Sequence, residues 1–227
     1  MVRASRYPSY YEFNLVRVER DPGPGMGVDE LVAVADQGLA GLAHRRLDFE
    51  SIDVADRFRP ALEARGWRSV RLVWMRHEKA PPPHERALEV EEVSYDEVDD
   101  LRIAWHREDF PDQDPGDYHR YSREVSLRRD ARVYAVRADG VPIAFAQLER
   151  AAGGAEITQV FVHPEHRGRG VGTAMTRAAI EAARDADDLW ITADDEDRPK
   201  ELYARLGFVP VWTSMECTLW PKPAPSP

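Results

Sequence analysis

Three glycines alternate with other residues in the segment Gly168-Arg169-Gly170-Val171-Gly172, between a predicted strand and a predicted helix. Glycine lets the backbone turn sharply and lets a ligand approach without interference from a Cβ atom. The free N–H groups at the start of the following helix, with the positive end of its dipole, form an anion site. Arg167 and Arg169 add positive charge that suits a pyrophosphate. A tight turn that needs glycine for its geometry alone is the alternative.

Two well-known phosphate loops do not fit this segment. A Walker A loop requires Gly-Lys-Ser/Thr, which does not follow, and Thr173 stands where the dinucleotide-binding pattern requires a further glycine. His163 and His166, with Glu165 between them, do not form a metal motif either, because they lie on a predicted turn without His-Glu-x-x-His spacing. We therefore expect no metal.

The wider stretch from Val160 to Gly172 resembles the acyl-CoA-binding motif of the GNAT superfamily of N-acetyltransferases, Arg/Gln-x-x-Gly-x-Gly/Ala after a strand. Arg167, Gly170 and Gly172 satisfy that motif. Residues 197–208 are similar to the second motif of the family, in which a Leu-Tyr pair precedes a Gly-Phe stop. Both motifs occur in the expected order and separation, and the predicted elements of about residues 87–220 cover the whole GNAT domain.

The resemblance implies acetyl-CoA as the acyl donor, lying in a gap between the predicted strands at residues 156–162 and 189–193. In such enzymes main-chain groups of the first strand bind the pantetheine like an added strand, and N–H groups of the loop bind the pyrophosphate. The implied cofactor-binding residues are Val160, Phe161, Val162, Arg167, Gly168, Arg169, Gly170, Val171, Gly172 and Thr173.

Two residues match catalytic positions of the family. Tyr203 stands where members protonate the departing CoA thiolate, and a phenol with a pKa near 10 can donate to a thiolate formed beside it. Packing of Tyr203 against the sheet is the alternative. Glu156, at the start of the cofactor strand, stands where some members place a general base that acts directly or through water, and a solvated strand residue is the alternative there.

The predicted elements run strand, two helices, three strands, helix, strand, helix and strands. Arg132 to Arg137 and Val141 to Leu148 flank the turn Asp139-Gly140, which is typical of a hairpin. From Val171 onward apolar residues recur at helical spacing. This order indicates an α/β or α+β single sheet. The resemblance implies the GNAT-like form, a mixed, mostly antiparallel twisted sheet flanked by helices.

The N-terminal segment Gly23-Pro24-Gly25-Met26-Gly27 has the same glycine spacing as residues 168–172. Each segment follows a predicted strand and precedes an amphipathic helix, a strand, a short helix ending in Arg-Gly-Trp or Leu-Gly-Phe, and a final strand. We therefore expect a smaller, degenerate half-GNAT-like unit at residues 1–78, with residues 10–76 superposing on 156–219. Chance similarity between common strand-turn-helix units is the alternative.

The remaining boundaries follow from proline. Three consecutive prolines predict a linker at 79–86, the catalytic domain then spans 87–220, and 221–227 form a Pro-rich tail. In the repeat alignment Pro22 replaces Arg167 and Leu62 replaces Tyr203, while Asp21 brings negative charge to the first loop. Because like charges repel, we expect no second acetyl-CoA there.

Composition restricts the partners. The formal charge of −10 argues against a general nucleic-acid binder, and no segment is long and apolar enough for a membrane span. A single cysteine, Cys217, gives no internal disulfide, so we expect a cytoplasmic protein. We expect an N-acetyltransferase acting on a primary amine of a small molecule or a protein, as a monomer or homodimer. A non-catalytic acyl-CoA sensor is the alternative.

Overall fold

The computed structural model describes residues 1–83, 88–111 and 113–220. Residues 84–86 of the predicted linker and the predicted tail at 221–227 lie outside this part. The chain divides into two compact units. The first unit contains Met1–Val73, Asp194–Glu196 and the described residues from Trp212 onward, and the second contains the described residues of Trp74–Ala193 and of Asp197–Val211.

The second unit carries the loop and the predicted catalytic residues. Its strands are the end of β4 (Arg68–His77), β5 (Glu91–Val93), β6 (Arg132–Ala138), β7 (Val141–Ala151), β8 (Gly154–Val162), β9 (Leu189–Asp194) and the start of β10 (Phe208–Leu219). Its helices are α3 (Asp99–Asp109), α4 (Gly116–Arg128), α5 (Val171–Ala182) and α6 (Pro199–Arg205). The pairs β5–β6, β6–β7 and β7–β8 are antiparallel, whereas β8–β9 is parallel. This confirms the mixed, mostly antiparallel sheet with flanking helices.

Local chemistry explains the elements that the sequence predicts best. Asp139 and Gly140 both have positive φ (51° and 80°), the backbone that a two-residue hairpin turn requires. Helix α5 buries Val171, Met175 and Ala179, which are spaced four residues apart and therefore lie on one face. The first of the two helices that the sequence predicts after the opening strand, at residues 96–106, begins instead as a 3-10 turn at Tyr95–Val98 and continues as α3 to Asp109.

Helices α3 and α4 cover the sheet face opposite the one that packs on α5. Tyr95, Leu101, Phe145 and Phe161 share a buried apolar cluster on the α3 side, against which Trp105 packs. The Trp105 and Phe161 rings are stacked with their centroids 6.0 Å apart. Alternation along the strands then places the intervening residues of β7 and β8 toward α5.

The first unit has the element order that the repeat requires. Strand β2 (Asn14–Val18), helix α1 (Val28–Gly38), strand β3 (Arg45–Phe49), helix α2 (Ile52–Glu63) and the start of β4 follow one another, with β2 and β3 parallel. The short β1 (Val2–Arg3) pairs with β2. Both helices and the inner faces of β2 and β3 share one buried core. Superposition of the two halves stays a prediction.

Strands β4 and β10 each contribute several residues to both units, and β9 contributes its last residue, Asp194, to the first. The end of β10, from Met215 to Leu219, pairs antiparallel with β3 in the first unit. Residues Trp74–His77 at the end of β4 belong to the second unit, where β4 neighbours β9 in the strand order. The units therefore do not follow the predicted boundaries at residues 78 and 87, because each contains a strand segment from the other half of the sequence.

None of the helices within the described ranges combines the length and hydrophobicity that crossing a lipid bilayer requires.

Candidate active site

A gap between β8 and β9 marks the site. Their parallel register runs only from Ala155–Leu189 to Ile157–Ile191. Strand β8 continues to Val162, and on its other edge Val160, Phe161 and Val162 remain paired with β7. In this part of the structure the β9-facing backbone groups of β8 beyond Ile157 therefore have no neighbouring strand. Such an edge can accept an extended ligand as an additional strand.

A bulge in β8 lies at the point where the gap opens. Gln147 of β7 pairs with Gln159 of β8, whereas the next residue, Leu148, pairs with Ile157. Thr158 of β8 therefore has no partner on β7 and is the extra residue of the bulge. A β-bulge bends its strand and increases its local twist. The bulge therefore gives a physical reason why β8 separates from β9 after Ile157.

The glycine loop connects β8 to α5. Gly168 and Gly170 have φ of 75° and 82°, in the left-handed region that only glycine adopts readily. A Cβ atom at either position would meet no atom of the described residues within 4 Å, so this part of the structure leaves the space beside the loop open. Gly172, by contrast, packs within 3.5 to 3.7 Å of Leu202 and Val162, counted from an ideal Cβ. The left-handed backbone, and not contact with the protein, requires glycine at 168 and 170.

The N-terminus of α5 suits an anion. Gly170 is its N-cap and has no side chain that could accept a capping hydrogen bond, and the first turn contains no acidic residue. The N–H groups of the first turn therefore keep their hydrogen-bonding capacity and the favourable end of the helix dipole. This arrangement fits the pyrophosphate of acetyl-CoA in charge and in donor geometry.

Arg167 is exposed, but two contacts hold its guanidinium group. Its Nε donates to the Val162 carbonyl oxygen (2.9 Å), and its guanidinium pairs with Glu108 of α3 at 2.7 Å. Arg167 therefore ties the end of β8 to α3, a contact that the motif gives no reason to expect. Arg169 is exposed, and among the described residues no ion pair involves it. Of the two predicted phosphate-binding arginines, Arg169 is the one whose charge is available.

Tyr203 lies in α6 and is 6% exposed. Burial, reinforced by the negative charge of Asp197, raises the pKa of its phenol above the ordinary value of 10. The side chain therefore stays protonated at neutral pH, as a proton donor must. Its ring packs edge-on against Phe208, with centroids 6.2 Å apart.

Glu156 lies directly opposite Glu149 on the antiparallel strand β7, so both carboxylates point to the face covered by α3 and α4. Burial raises the pKa of Glu156, and the charge of Glu149 raises it further. Glu149 is itself paired with Arg129 at the end of α4, at 2.5 Å. Glu156 is therefore a half-buried carboxyl group whose pKa is shifted toward neutrality.

A buried polar cluster beneath α3 and α4 was not anticipated. Gln147, 1% exposed, donates to Ser126 (3.1 Å), Glu149 (2.9 Å) and the bulged Thr158 (3.3 Å), and accepts from Arg102 (2.9 Å). Arg102 also donates to Gln159. The cluster ties the bulge to both helices. The only signal in the sequence is glutamine within the otherwise apolar strand 143–148, since a buried polar group needs internal partners.

His163, Glu165 and His166 bring one ligand-type atom each to within 4.8 Å of one another at the start of the loop. The sequence argued against a metal here because the residues lie on a turn, and the structure places them on the 3-10 turn Pro164–His166 and the residue before it. The absence of a metal stays a prediction.

Comparison with known proteins identifies the family. Residues 95–208, half of the chain, match the model of the acetyltransferase (GNAT) family. An uncharacterised N-acetyltransferase of Methanocaldococcus jannaschii is 43% identical over 58 residues, covering 24% of this chain and 25% of that protein. A mycothiol acetyltransferase of Segniliparus rotundus is 34% identical over 108 residues, covering 46% of this chain and 40% of that protein. The matched segments thus span less than half of these relatives.

Among solved structures, a conserved protein of unknown function from Staphylococcus epidermidis superposes with a TM-score of 0.68 at 15% identity. The match covers 96% of this chain and 89% of that protein, so the two share a fold across both units. The matched family segment contains the bulged strand, the glycine loop and Tyr203. The chain therefore belongs to the GNAT family of acetyltransferases.

Proposed function

We propose that this protein transfers the acetyl group of acetyl-CoA to a primary amine of a small molecule or a protein, by direct attack in a ternary complex. The observation that carries the proposal is the combination of an open β8 edge with an uncapped α5 N-terminus. The extended, thioester-bearing arm of the donor would lie along the β8 edge, and its pyrophosphate would lie at the N-terminus of α5. The names of the curated relatives, both acetyltransferases, support the same reaction class.

The donor would be held mainly by backbone. The main-chain groups of Val160–Val162 would bind the pantetheine, and the N–H groups from Arg167 to Thr173 the pyrophosphate, with Arg169 adding charge. Because backbone recognition does not depend on side-chain identity, the donor site is compatible with low sequence identity among structural neighbours. When bound, acetyl-CoA supplies the activated acyl group, and the protein supplies alignment and two proton transfers.

Glu156 would accept the proton of the attacking ammonium group, directly or through a water molecule. Its raised pKa suits this role, since a base works best with a pKa near the working pH. As the new C–N bond forms and the C–S bond breaks, Tyr203 would donate its phenolic proton to the leaving thiolate. The nitrogen of the adduct then gives its second proton to the Tyr203 phenolate, directly or through water, which restores the phenol. Glu156 releases its proton to solvent, so the reaction yields the amide, the free thiol of CoA and one proton.

The acceptor site would lie on the α3 and α4 side of the sheet, which Glu156 faces. The carboxylates Glu149 and Glu156 favour a cationic amine over an anionic acceptor in this region. We propose no nucleic-acid or membrane partner, and either a monomer or a homodimer.

The test is release of free thiol from acetyl-CoA in the presence of a panel of primary amines. We expect thiol release that depends on a cationic amine and an acetylated product seen by mass spectrometry. Tight binding of acetyl-CoA without turnover on any amine or lysine-bearing peptide would instead support the non-catalytic sensor.

A further inference from the structure

The end of β4 is an unusual part of the acetyltransferase unit because it comes from the N-terminal half of the sequence. Residues Trp74–His77 lie in the second unit, and β4 stands between β9 and β10 in the strand order. The chain then continues along the same unit as far as Pro83, the last described residue before the gap at 84–87. The unit is thus incomplete without a segment that lies outside the family match at 95–208.

This segment meets the turn that ends α6. The N–H groups of Glu78 and Lys79 both donate to the Gly207 carbonyl oxygen, at 3.0 and 3.2 Å. Gly207 has φ of 98°, and a Cβ atom there would lie 2.8 Å from the Lys79 carbonyl carbon and overlap its oxygen. Glycine is therefore needed at 207 for two reasons, the left-handed backbone and the close approach of residue 79.

The same segment leads to Tyr203 through ring contacts. The His77 imidazole packs edge-on against the Phe208 ring at a centroid distance of 5.0 Å. Phe208 in turn packs edge-on against Tyr203 at 6.2 Å. Leu206, between α6 and the turn, donates its N–H to the Tyr203 carbonyl oxygen at 3.0 Å. Tyr203 is thus linked to the segment through the Phe208 ring and through the backbone of the turn.

Further contacts fix the segment on both sides. Arg76 lies 3.9 Å from the carboxylate of Asp188, just before β9, and its guanidinium lies 5.9 Å from the ring centre of Trp190. Arg177 of α5 donates to the Pro82 carbonyl oxygen. The segment is therefore attached to β9, to the Gly207 turn and to the helix that follows the glycine loop. Attachment at three places makes it a rigid support.

We propose that Trp74–Lys79 is a positioning element of the acetyl-transfer site, which holds the Tyr203 phenol in place by fixing the Gly207 turn and, through His77, the Phe208 ring. The proposal rests on the proposed role of Tyr203. It assigns to the N-terminal half a part in catalysis that requires no second acetyl-CoA site. His77 is a positioning residue, since no proposed step involves its imidazole.

The chain offers a matched pair of variants. Gly66 is the counterpart of Gly207 in the repeat, has a similar φ of 85°, and its Cβ would meet only a Leu219 methyl group at 4.0 Å. Gly207→Ala and Gly66→Ala therefore share the cost of alanine at positive φ, but only Gly207→Ala displaces Lys79. We expect Gly207→Ala to lower turnover at least about tenfold with acetyl-CoA affinity within about threefold, and Gly66→Ala to keep turnover within about twofold.

A second variant tests the same proposal without changing the backbone of the Gly207 turn. His77→Ala removes the ring contact together with the polar contact of the imidazole with the Leu206 backbone. It should lower turnover by about threefold to tenfold, with rescue by His77→Phe, which restores the ring contact but not the polar one. In the Tyr203→Phe background neither His77→Ala nor Gly207→Ala should lower turnover much further, since groups that act as a unit are not additive. Equal losses with and without Tyr203→Phe would overturn the proposal.

A readout that needs no acceptor separates this proposal from the reaction itself. In protein labelled with ring-carbon-13 tyrosine, the Tyr203 signal is identified by its loss in Tyr203→Phe. We expect His77→Ala to shift or broaden that signal while the Tyr134 signal stays in place. An unchanged Tyr203 signal would overturn the positioning role, whereas a shifted signal in a protein without turnover would contradict only the proposed reaction.

Discussion

The two glycine loops have the same spacing but opposite electrostatics. In the second unit Gly170 caps α5 with no side-chain acceptor and no acidic residue in the first turn. In the first unit Gly27 caps α1, and its N–H donates to the carboxylate of Glu30 at 2.8 Å. The helix end that would bind an anion in one unit is therefore already occupied by the protein's own carboxylate in the other.

The first loop is closed in a second way. Asp21 accepts from the Gly23 N–H at 2.8 Å and pairs with Arg57 at 2.8 Å, and Arg57 also donates to the Gly23 carbonyl oxygen. Only Gly23 of its three glycines has positive φ, against both Gly168 and Gly170 in the second loop. Glycine spacing alone does not create an anion site. The residues that satisfy the loop's N–H groups decide whether a ligand can bind.

The largest expected effect is a loss of acetyl-CoA affinity when one of the two glycine loops, but not the other, is altered. Gly170→Val forces a β-branched residue to φ of 82° at the α5 N-cap, and we expect acetyl-CoA affinity to fall at least about a hundredfold. Gly25, at the corresponding position of the first loop, does not have a positive φ, and as at Gly170 an added Cβ would meet no described atom within 4 Å, so Gly25→Val is the matched control. It should leave affinity unchanged. Titration calorimetry, with circular dichroism to check folding, measures both, and equal affinities in the two variants would refute the loop assignment.

Tyr203→Phe tests the catalytic residue that the first unit lacks. We expect turnover to fall by about tenfold to a thousandfold with acetyl-CoA affinity retained, because a general acid acts mainly in the transition state. Tyr134→Phe is the matched control, since both tyrosines are 6% exposed and burial raises both pKa values. Similar turnover in the two variants would remove Tyr203 from the mechanism.

Glu156→Gln should lower turnover at pH 7 by about tenfold to a hundredfold. Because the base must be ionised, wild-type turnover should rise with pH through the pKa of Glu156, which lies above the ordinary 4.5. Glu149→Gln removes a negative charge that raises this pKa, so the rising limb should move to lower pH. If the rise of turnover with pH does not move in Glu149→Gln, or persists in Glu156→Gln, a residue other than Glu156 is the general base. Stopped assays across pH 4 to 9 on an identified acceptor provide the profile.

The smallest effect concerns the carboxylate that closes the first loop. Glu30→Ala should cost about 0.5–1 kcal/mol of unfolding free energy by removing the cap of α1, whereas Glu19→Ala, a nearby exposed change of equal charge, should cost almost nothing. Urea unfolding measures the difference. Both variants should still bind one acetyl-CoA per chain, because Asp21 and Arg57 keep the loop closed. Two equivalent sites in the wild type would show that the comparison between the loops is mistaken.

Much of the fold could be read from the sequence because local chemistry determines it. The Asp139-Gly140 turn, the apolar face of α5 and the Gly207 stop each depend on neighbouring residues alone. The GNAT assignment rested on two motifs, and the family comparison confirms it. The order of elements in the N-terminal half was also predictable, since turn, helix and strand signals occur there in the same sequence.

Long-range pairing could not be read in this way. Nothing in the residues of β10 indicates that Met215–Leu219 pairs with Arg45–Phe49, because both strands have the alternation that any half-buried strand has. The contact of Arg167 with Glu108 and the cluster around Gln147 were missed for the same reason. Their partners are far apart in sequence, and a motif records only residues that are close together.

The pairing of β3 with the end of β10 also affects how the protein is made. Strand β3 is synthesised well before the strand that pairs with it, because Met215–Leu219 come much later in the sequence than Arg45–Phe49. At about 5–20 residues per second, the edge of β3 stays without its partner for roughly 10 s or longer. During translation this edge is a surface on which chains on neighbouring ribosomes could associate, so expression yield should respond to translation speed more than the stability of the finished protein does.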